Sequence, residues 1–261
     1  MEPPLQNLAT RWEPLGYCIY CGSVDALTDE HIVPFRLGGP GVLPASSCRT
    51  CATETGRFEQ DVLRGPFWAL RAHLGLKSRR PNDAPTEQTL VVVRGGQEEA
   101  VSLSLNEHPL CLNFLQFAMP GRLSGRSVKG ITILGHFLYN FGRPMADVMK
   151  DAGADDLKFS QAWKPISFAR MIAKIGWSMA CAERHHLKLK PNDTVARIIV
   201  DEPDQIGDWV GSFTGDLEAV SGTLHEIRIR EDRDRNFMLA EVQLFSYTNT
   251  PRYGVILGSL R

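Results

Sequence analysis

CIYC at residues 18–21 and CRTC at residues 48–51 are two C-x2-C pairs, and they decide the expected fold of this chain's first part. Each pair closes a tight turn that presents two sulfurs to one ion, and 26 residues separate the inner cysteines. Four unrelated buried cysteines are the alternative, but chance seldom produces two matched pairs. In a reducing compartment the pattern predicts a closed, structural zinc site that helps a segment with a small apolar core to fold. Its ligands are Cys18, Cys21, Cys48 and Cys51.

Between the two pairs lies LTDEHIVPFRLGG, residues 27–39, which places Asp29, Glu30 and His31 side by side. Taken alone, this stretch is typical of a solvated turn with a partly buried histidine. Enclosed by the cysteine pairs, it favours a metal-dependent site instead. Carboxylate oxygens are suitable ligands for Mg2+ or Mn2+, and a neutral imidazole can accept a proton near neutral pH.

The order of these motifs resembles the zinc-stabilised members of the HNH endonuclease family. The resemblance covers roughly residues 17–65 and consists of the first cysteine pair, EHIVP at 30–34, LGG at 37–39 and the second cysteine pair. It implies a ββα-metal unit, in which two antiparallel strands and a helix surround one catalytic divalent ion, Mg2+ or Mn2+. It also implies that His31 is the general base that activates water, that Glu30 ligates this ion, and that Asp29 is a substitute ligand or a supporting partner.

Two features depart from the family pattern. The family commonly carries Asn or His directly after the last cysteine, whereas this chain has Ala52, whose methyl group cannot bind a metal. The middle asparagine of the family name is also missing. Glu59, about two turns into the helix expected to begin near Cys51, is the candidate replacement ligand, although it could equally be a surface residue. Glu54 and Thr55 are weaker candidates.

Basic residues recur after the second cysteine pair, and between residues 57 and 80 they outnumber acidic residues by four. Three of them are spaced seven residues apart, which places them on one side of a helix if that helix continues past Gly65 and Pro66. We expect these side chains to contact nucleic-acid phosphates beside the site. A solvated helix face is the alternative. The candidates are Arg57, Arg64, Arg71, Lys77, Arg79 and Arg80.

The composition is that of an ordinary globular protein. Of 261 residues, 43% are hydrophobic and 23% are charged, which excludes disordered and collagen-like classes. The net charge of −1 creates no global field toward nucleic acid or membrane, so such binding must come from a local patch. The N-terminus has no signal-peptide pattern, and no apolar run approaches the roughly 18 residues of a membrane helix. We therefore expect a cytoplasmic protein without a membrane partner; a homo-oligomer is compatible with the sequence, which leaves the oligomeric state open.

The proline-containing stretch SRRPNDAPTEQ, residues 78–88, marks an expected domain boundary. Residues 1–80 are predicted to form the zinc-stabilised nuclease module. Residues 81–261 are predicted to form an α+β domain with a mainly antiparallel sheet, whose role in selecting substrate, partner or oligomeric state is undetermined.

Several elements of this second domain follow from its residue pattern. Strands are expected at 89–95, 100–105 and 194–200, in the first half of 128–139, and as a hairpin within 223–247. A helix is expected at 168–186, with Arg170 and Lys174 away from its apolar face.

Taken together, these patterns predict a metal-dependent HNH endonuclease that hydrolyses nucleic-acid phosphodiester bonds, with DNA as the expected substrate. One alternative is a zinc-stabilised nucleic-acid-binding module whose catalytic site has decayed, which Ala52 favours and the Glu30-His31 pair opposes. Another is a defence-type effector in which the C-terminal domain gates the nuclease.

Overall fold

Two antiparallel strands followed by one helix form the first part of the fold. Strand β1 (Leu27–His31) pairs with β2 (Val42–Cys48), and helix α1 (Arg49–Leu63) begins directly after β2. The order of these elements is the expected one, while their identity as an HNH unit stays a prediction. One face of α1 packs on the core because its buried residues recur at helical spacing; they are Cys51, Thr55, Phe58, Val62 and Leu63.

The remaining elements form further sheets around a long central helix. The computed structural model describes residues 10–76, 84–159, 161–213 and 223–261. In chain order, the other elements are α2 (Trp68–His73), β3 (Glu87–Arg94), β4 (Gln97–Ser104), β5 (Cys111–Phe117), α3 (Gly121–Ser124), β6 (Ile133–Asn140), α4 (Met145–Ala152), β7 (Asp156–Lys158), α5 (Pro165–Ala182), β8 (Leu189–Thr194), α6 (Ala196–Val200), α7 (Ile206–Trp209), β9 (Val210–Phe213), β10 (His225–Asp232), β11 (Phe237–Leu244) and β12 (Arg252–Leu260).

The strands pair in antiparallel fashion throughout the named ladders. The largest sheet has the order β10-β11-β12-β8, and β9 also pairs with β12. A second sheet has the order β4-β3-β7, and β5 pairs with β6 in a third. The fold is therefore α+β with mainly antiparallel sheets, as predicted.

Local sequence patterns predicted several of these elements and misassigned others. The expected strands at 89–95 and 100–105 correspond to β3 and β4, and the expected hairpin within 223–247 corresponds to β10 and β11. The expected strand at 194–200 is wrong, because Ala196–Val200 form α6, which packs against α5. In 128–139 the strand occupies the second half, not the first, because β6 begins at Ile133 and pairs with β5 from there.

Helix α5 is buried on almost every side. Fourteen of its 18 residues are buried, and it packs against α1 and against the strands of the largest sheet. Gly176 permits this close packing, since a Cβ atom there would lie 2.8 Å from Cβ of Ala240 on β11. The prediction that Arg170 and Lys174 lie away from the packed face is wrong: they are only 8% and 1% exposed, because both side chains reach acidic partners on the first part of the chain.

One hydrophobic core connects the two predicted domains. Its buried members range from Cys18, in the first cysteine pair, to Leu257 on β12. A separate small cluster joins β3, β7 and α4 through Leu90, Val148 and Leu157. The first part of the chain is thus packed directly on the C-terminal part, and α5 is the helix that joins them.

Within the described ranges, no helix combines the length and the apolar character that a bilayer crossing requires.

Candidate functional site

The four paired cysteines converge on one point. Their Sγ atoms all lie within 4.8 Å of one another, and the Sγ atoms of Cys21 and Cys48 are 3.7 Å apart. A tetrahedral zinc site with Zn–S bonds of about 2.3 Å has S–S edges of about 3.8 Å, so this spacing suits such an ion. The cluster could therefore hold a metal ion of this kind with four sulfur ligands.

Local backbone structure prepares these sulfurs. In the first turn, the N–H of Gly22 donates to the carbonyl of Cys18 (2.8 Å). In the second turn, Cys48 ends β2 and precedes α1, and the Cys51 N–H donates to the Cys48 sulfur. This hydrogen bond is the main cause that lowers the pKa of Cys48, to about 7, whereas burial raises the pKa values of Cys21 and Cys51. A low pKa favours the thiolate, which is the form that binds metals.

Helix α5 supports the first cysteine turn from the other side. The indole N–H of Trp177 donates to the carbonyl of Ile19 (2.8 Å), and the hydroxyl groups of Tyr20 and Ser178 are 3.3 Å apart. The turn is therefore fixed by the C-terminal part of the chain as well as by its own hydrogen bonds.

A pocket of about 480 Å³ lies between β1, α1 and α5. Asp29, Glu30 and His31 of β1, Glu59 of α1 and Lys174 of α5 all line it. The structure thus brings the four predicted pocket residues to one place and adds a lysine to them.

The LGG sequence forms the turn beside this pocket. Gly38 has a φ of +79°, a conformation that suits glycine. A Cβ atom on Gly39 would lie 2.3 Å from the carbonyl oxygen of Val33, so that only glycine fits there. These glycines let the chain reverse between β1 and β2.

Glu30 and Glu59 bind the same cation, the ammonium of Lys174. The Nζ atom of Lys174 is 2.6 Å from Oε1 of Glu30 and 3.1 Å from Oε1 of Glu59. It also donates to the backbone carbonyl of His31. Burial alone would lower the pKa of Lys174, but the two carboxylates outweigh this effect, and the net shift is upward. The lysine is therefore charged at neutral pH.

The electrostatics of Glu59 follow from the same arrangement. Burial raises its pKa, Lys174 acts in the opposite direction, and the net shift is upward. Glu59 is predicted as a candidate ligand of the divalent ion, and in the structure its carboxylate contacts the ammonium of Lys174.

Asp29 lies in the pocket wall but binds elsewhere. Its Oδ2 is 2.8 Å from Nη2 of Arg11, and its Oδ1 accepts from the N–H of Ala45 (3.3 Å). The hydrogen bond from Arg11 is the main cause of its lowered pKa. Asp29 lies at the register shift in β1 between Thr28 and Glu30, and its side chain is 47% exposed whereas that of Glu30 is 5% exposed. Asp29 and Glu30 therefore do not act as one pair of ligands in this arrangement.

The carboxylates of Asp29, Glu30 and Glu59 are not arranged as a binding site for the predicted Mg2+ or Mn2+. Among the described residues, the cysteine cluster is the one place where three or more metal-binding side chains have their ligand atoms together. Glu30 and Glu59 converge instead on Lys174, and Ala52, which lines the same pocket, contributes only a methyl group.

The expected arginine stripe is not a single face. Helix α1 ends at Leu63 with Arg64 as its C-cap residue, and Arg57 pairs with Glu54 (3.1 Å). The prediction that Arg71 belongs to an exposed stripe is wrong, because its side chain is buried and donates to the carbonyls of Arg36 and Leu63. The other three candidates, Lys77, Arg79 and Arg80, lie outside the described residues.

Two pocket residues were missed by the sequence reasoning. Arg36 lines the pocket with His31 and is a candidate phosphate contact. Lys174 is the one charged residue in the apolar run MIAKIGWSMACA, residues 171–182. A lone lysine in such a run signals a buried acidic partner, because lysine is rarely buried without one. That signal could have found it.

Comparisons of the chain with known protein families, with curated proteins and with solved structures find no match. The resemblance to the HNH family therefore stays a prediction from the order of the motifs.

Proposed function

We propose that this chain is a zinc-stabilised endonuclease of the HNH type that hydrolyses phosphodiester bonds in nucleic acid, with DNA as the substrate. The observation that carries the proposal is the position of His31. It ends β1 and lines a pocket between β1, α1 and α5, while the cysteine cluster lies toward the opposite end of the hairpin, where Leu27 pairs with Cys48.

In this proposal His31 takes a proton from the attacking water. Imidazole titrates at about pH 6.5 in model peptides, so it is the ordinary side chain best suited to this task near neutral pH. Its ring packs at 5.5 Å from that of Phe35, and its backbone carbonyl accepts from Lys174. These contacts limit the movement of the residue, which general-base catalysis requires.

Zinc has a structural role in the proposal. Cys18, Cys21, Cys48 and Cys51 would hold it, and four thiolates leave no position for a reacting water. The ion stabilises the joint between the first turn, β2 and α1. Since the carboxylates expected to hold Mg2+ or Mn2+ bind Lys174, no step is assigned to such an ion. Arg36 is assigned the contact to the phosphate group.

The test is cleavage of supercoiled plasmid DNA and of single-stranded RNA by zinc-loaded protein. Buffers are freed of other metals and assayed without addition, with Mg2+ and with Mn2+. We expect His31→Ala to lower the cleavage rate by roughly 10²- to 10⁴-fold, the usual cost of losing a general base. The matched control is His136→Ala, an exposed histidine on β6 that should leave the rate unchanged.

Two outcomes would contradict the proposal in different ways. If His31→Ala cleaves as fast as the wild type, another group is the base. If the wild type cleaves neither substrate in any of the three buffers, the chain is not a nuclease.

A second candidate function is a nucleic-acid-binding module without catalysis. Lys174 favours it, because this lysine neutralises both acids that a catalytic ion would need, and Ala52 removes a third ligand. This candidate predicts that the protein retards nucleic acid in a gel at low salt but does not cleave it, and that His31→Ala binds as the wild type does.

A further inference from the structure

The ammonium of Lys174 is fully bonded inside the pocket. Its three N–H donors face four acceptors, which are Oε1 of Glu30, Oε1 of Glu59, the carbonyl of His31 and, at 3.4 Å, the carbonyl of Ile32. Its side chain is 2% exposed and that of Glu30 is 5% exposed. This lysine is therefore not a surface charge that happens to lie near two acids, but the centre of a buried ionic group.

Contacts on both sides of Lys174 keep its helix in place. One turn earlier, Arg170 donates to Oε1 of Glu54 on α1 (2.9 Å) and to the carbonyl of Ile199 on α6 (2.7 Å). Half a turn later, Gly176 lies against Ala240 of the largest sheet. Lys174 thus cannot withdraw from the two acids unless α5 moves relative to α1 or the side chain gives up all of its partners.

We propose that Lys174 is the resident cation of this pocket and that its ammonium excludes a divalent ion from Glu30 and Glu59. An Mg2+ ion bound by these carboxylates would lie about 2.0–2.1 Å from their oxygens. The ammonium already lies within 3.1 Å of an oxygen of each. Two positive charges so close together repel strongly in a buried site. Buried carboxylates do require a positive partner, and here the chain supplies it from α5.

The inference concerns the pocket of the proposed function but rests on the ion pairs alone. It is tested by metal binding, so that its failure and the failure of the nuclease proposal are distinguishable. It also gives α5 a defined role, because any divalent ion at Glu30 and Glu59 would first require displacement of Lys174.

The experiment measures Mn2+ binding by electron paramagnetic resonance, in which protein-bound Mn2+ loses the signal of the free ion. Zinc-loaded wild type, Lys174→Met and Lys164→Met are titrated in parallel. Lys164 is the matched control because it also pairs with an acid of α1, Asp61, but its side chain is 66% exposed. We expect Lys174→Met to bind one additional Mn2+, with roughly tenfold or greater gain in affinity over the other two proteins.

Two further variants make the result decisive. The additional Mn2+ should disappear in the double variant Lys174→Met/Glu59→Gln. If Lys174→Met folds but gains no Mn2+, the two acids are not a latent metal site and the inference is overturned. If Lys174→Met does not fold, Mn2+ binding by wild type is compared with Mn2+ binding by Glu59→Gln. Binding by wild type that is lost in Glu59→Gln overturns the inference. Equal binding by the two proteins supports it.

Discussion

Arg71 shows how burial changes the role of a charged residue. It was expected to contact phosphate, yet Nε donates to the carbonyl of Arg36 (2.7 Å) and Nη1 to that of Leu63 (2.9 Å). Burial is the main cause that lowers its pKa, to about 10, so it stays charged at neutral pH. Through these bonds the guanidinium connects the end of α1 to the loop that carries Arg36, and hence supports the wall of the pocket.

We therefore predict that Arg71→Ala destabilises the fold. The variant loses two charge-assisted hydrogen bonds to buried carbonyls, which corresponds to about 3 kcal/mol in the free energy of unfolding. Arg64→Ala, the same substitution at an exposed position, should change that free energy by less than about 0.5 kcal/mol. Urea unfolding followed by tryptophan fluorescence measures both. Equal stability of the two variants would contradict the structural role of Arg71.

At the scale of elements, glycines on two helices differ in how closely their neighbours pack. A Cβ atom at Gly176 of α5 would lie 2.8 Å from Cβ of Ala240, whereas one at Gly56 of α1 would meet nothing within 4 Å. Gly56→Ala should stabilise the protein by roughly 0.5–1 kcal/mol through helix propensity. Gly176→Ala should destabilise it by about 1 kcal/mol, because overpacking exceeds that gain. Thermal unfolding checks the opposite signs, and a rise in both midpoints would show that α5 has room to move.

The joint between the first cysteine turn, β2 and α1 depends on the cysteine cluster. We predict one tightly bound zinc per chain. Cys48→Ser should lose this zinc and also unfold this region, because metal binding and folding are linked in such sites. Cys111→Ser is the matched control, since Cys111 is buried on β5 outside the cluster and should retain zinc. Metal analysis and circular dichroism of both variants provide the measurement. Zinc-free wild type that remains fully folded would be the contrary result.

For the whole molecule, sequence patterns predicted what depends on neighbours along the chain. The cysteine spacing predicted a cluster that the structure assembles, and alternating residues predicted the β10–β11 hairpin. Lys174 was assigned to the wrong side of α5, because periodicity does not distinguish faces of a helix that is buried all round. Its contact with Glu30 and Glu59 joins residues far apart in the chain, and no local pattern contains that information. The β-branched run at 194–200 became a helix because packing on α5 outweighs local propensity.

A long-range contact of this kind also connects the pocket region to the C-terminal sheet. His225, at the start of β10, is buried; its Nε2–H donates to the carbonyl of Leu37 (2.7 Å), and its Nδ1 accepts from the N–H of Phe245 (3.2 Å). Burial lowers its pKa to about 4, although the bond to Leu37 acts in the opposite direction. A second proton would have to bind Nδ1, where it would displace the Phe245 N–H.

This geometry determines how acid should affect stability. The pKa of His225 is lower in the folded state than in the unfolded state, so its contribution is complete above about pH 6.5 and is lost as pH falls toward about 4. The loss amounts to at most about 3 kcal/mol. Urea unfolding of wild type and His225→Gln between pH 7 and pH 4 tests it, because release of zinc by acid affects both proteins alike. The stability difference between them should shrink by that amount as pH falls; parallel curves would mean that another group, such as His73, His108 or His186, causes the acid sensitivity.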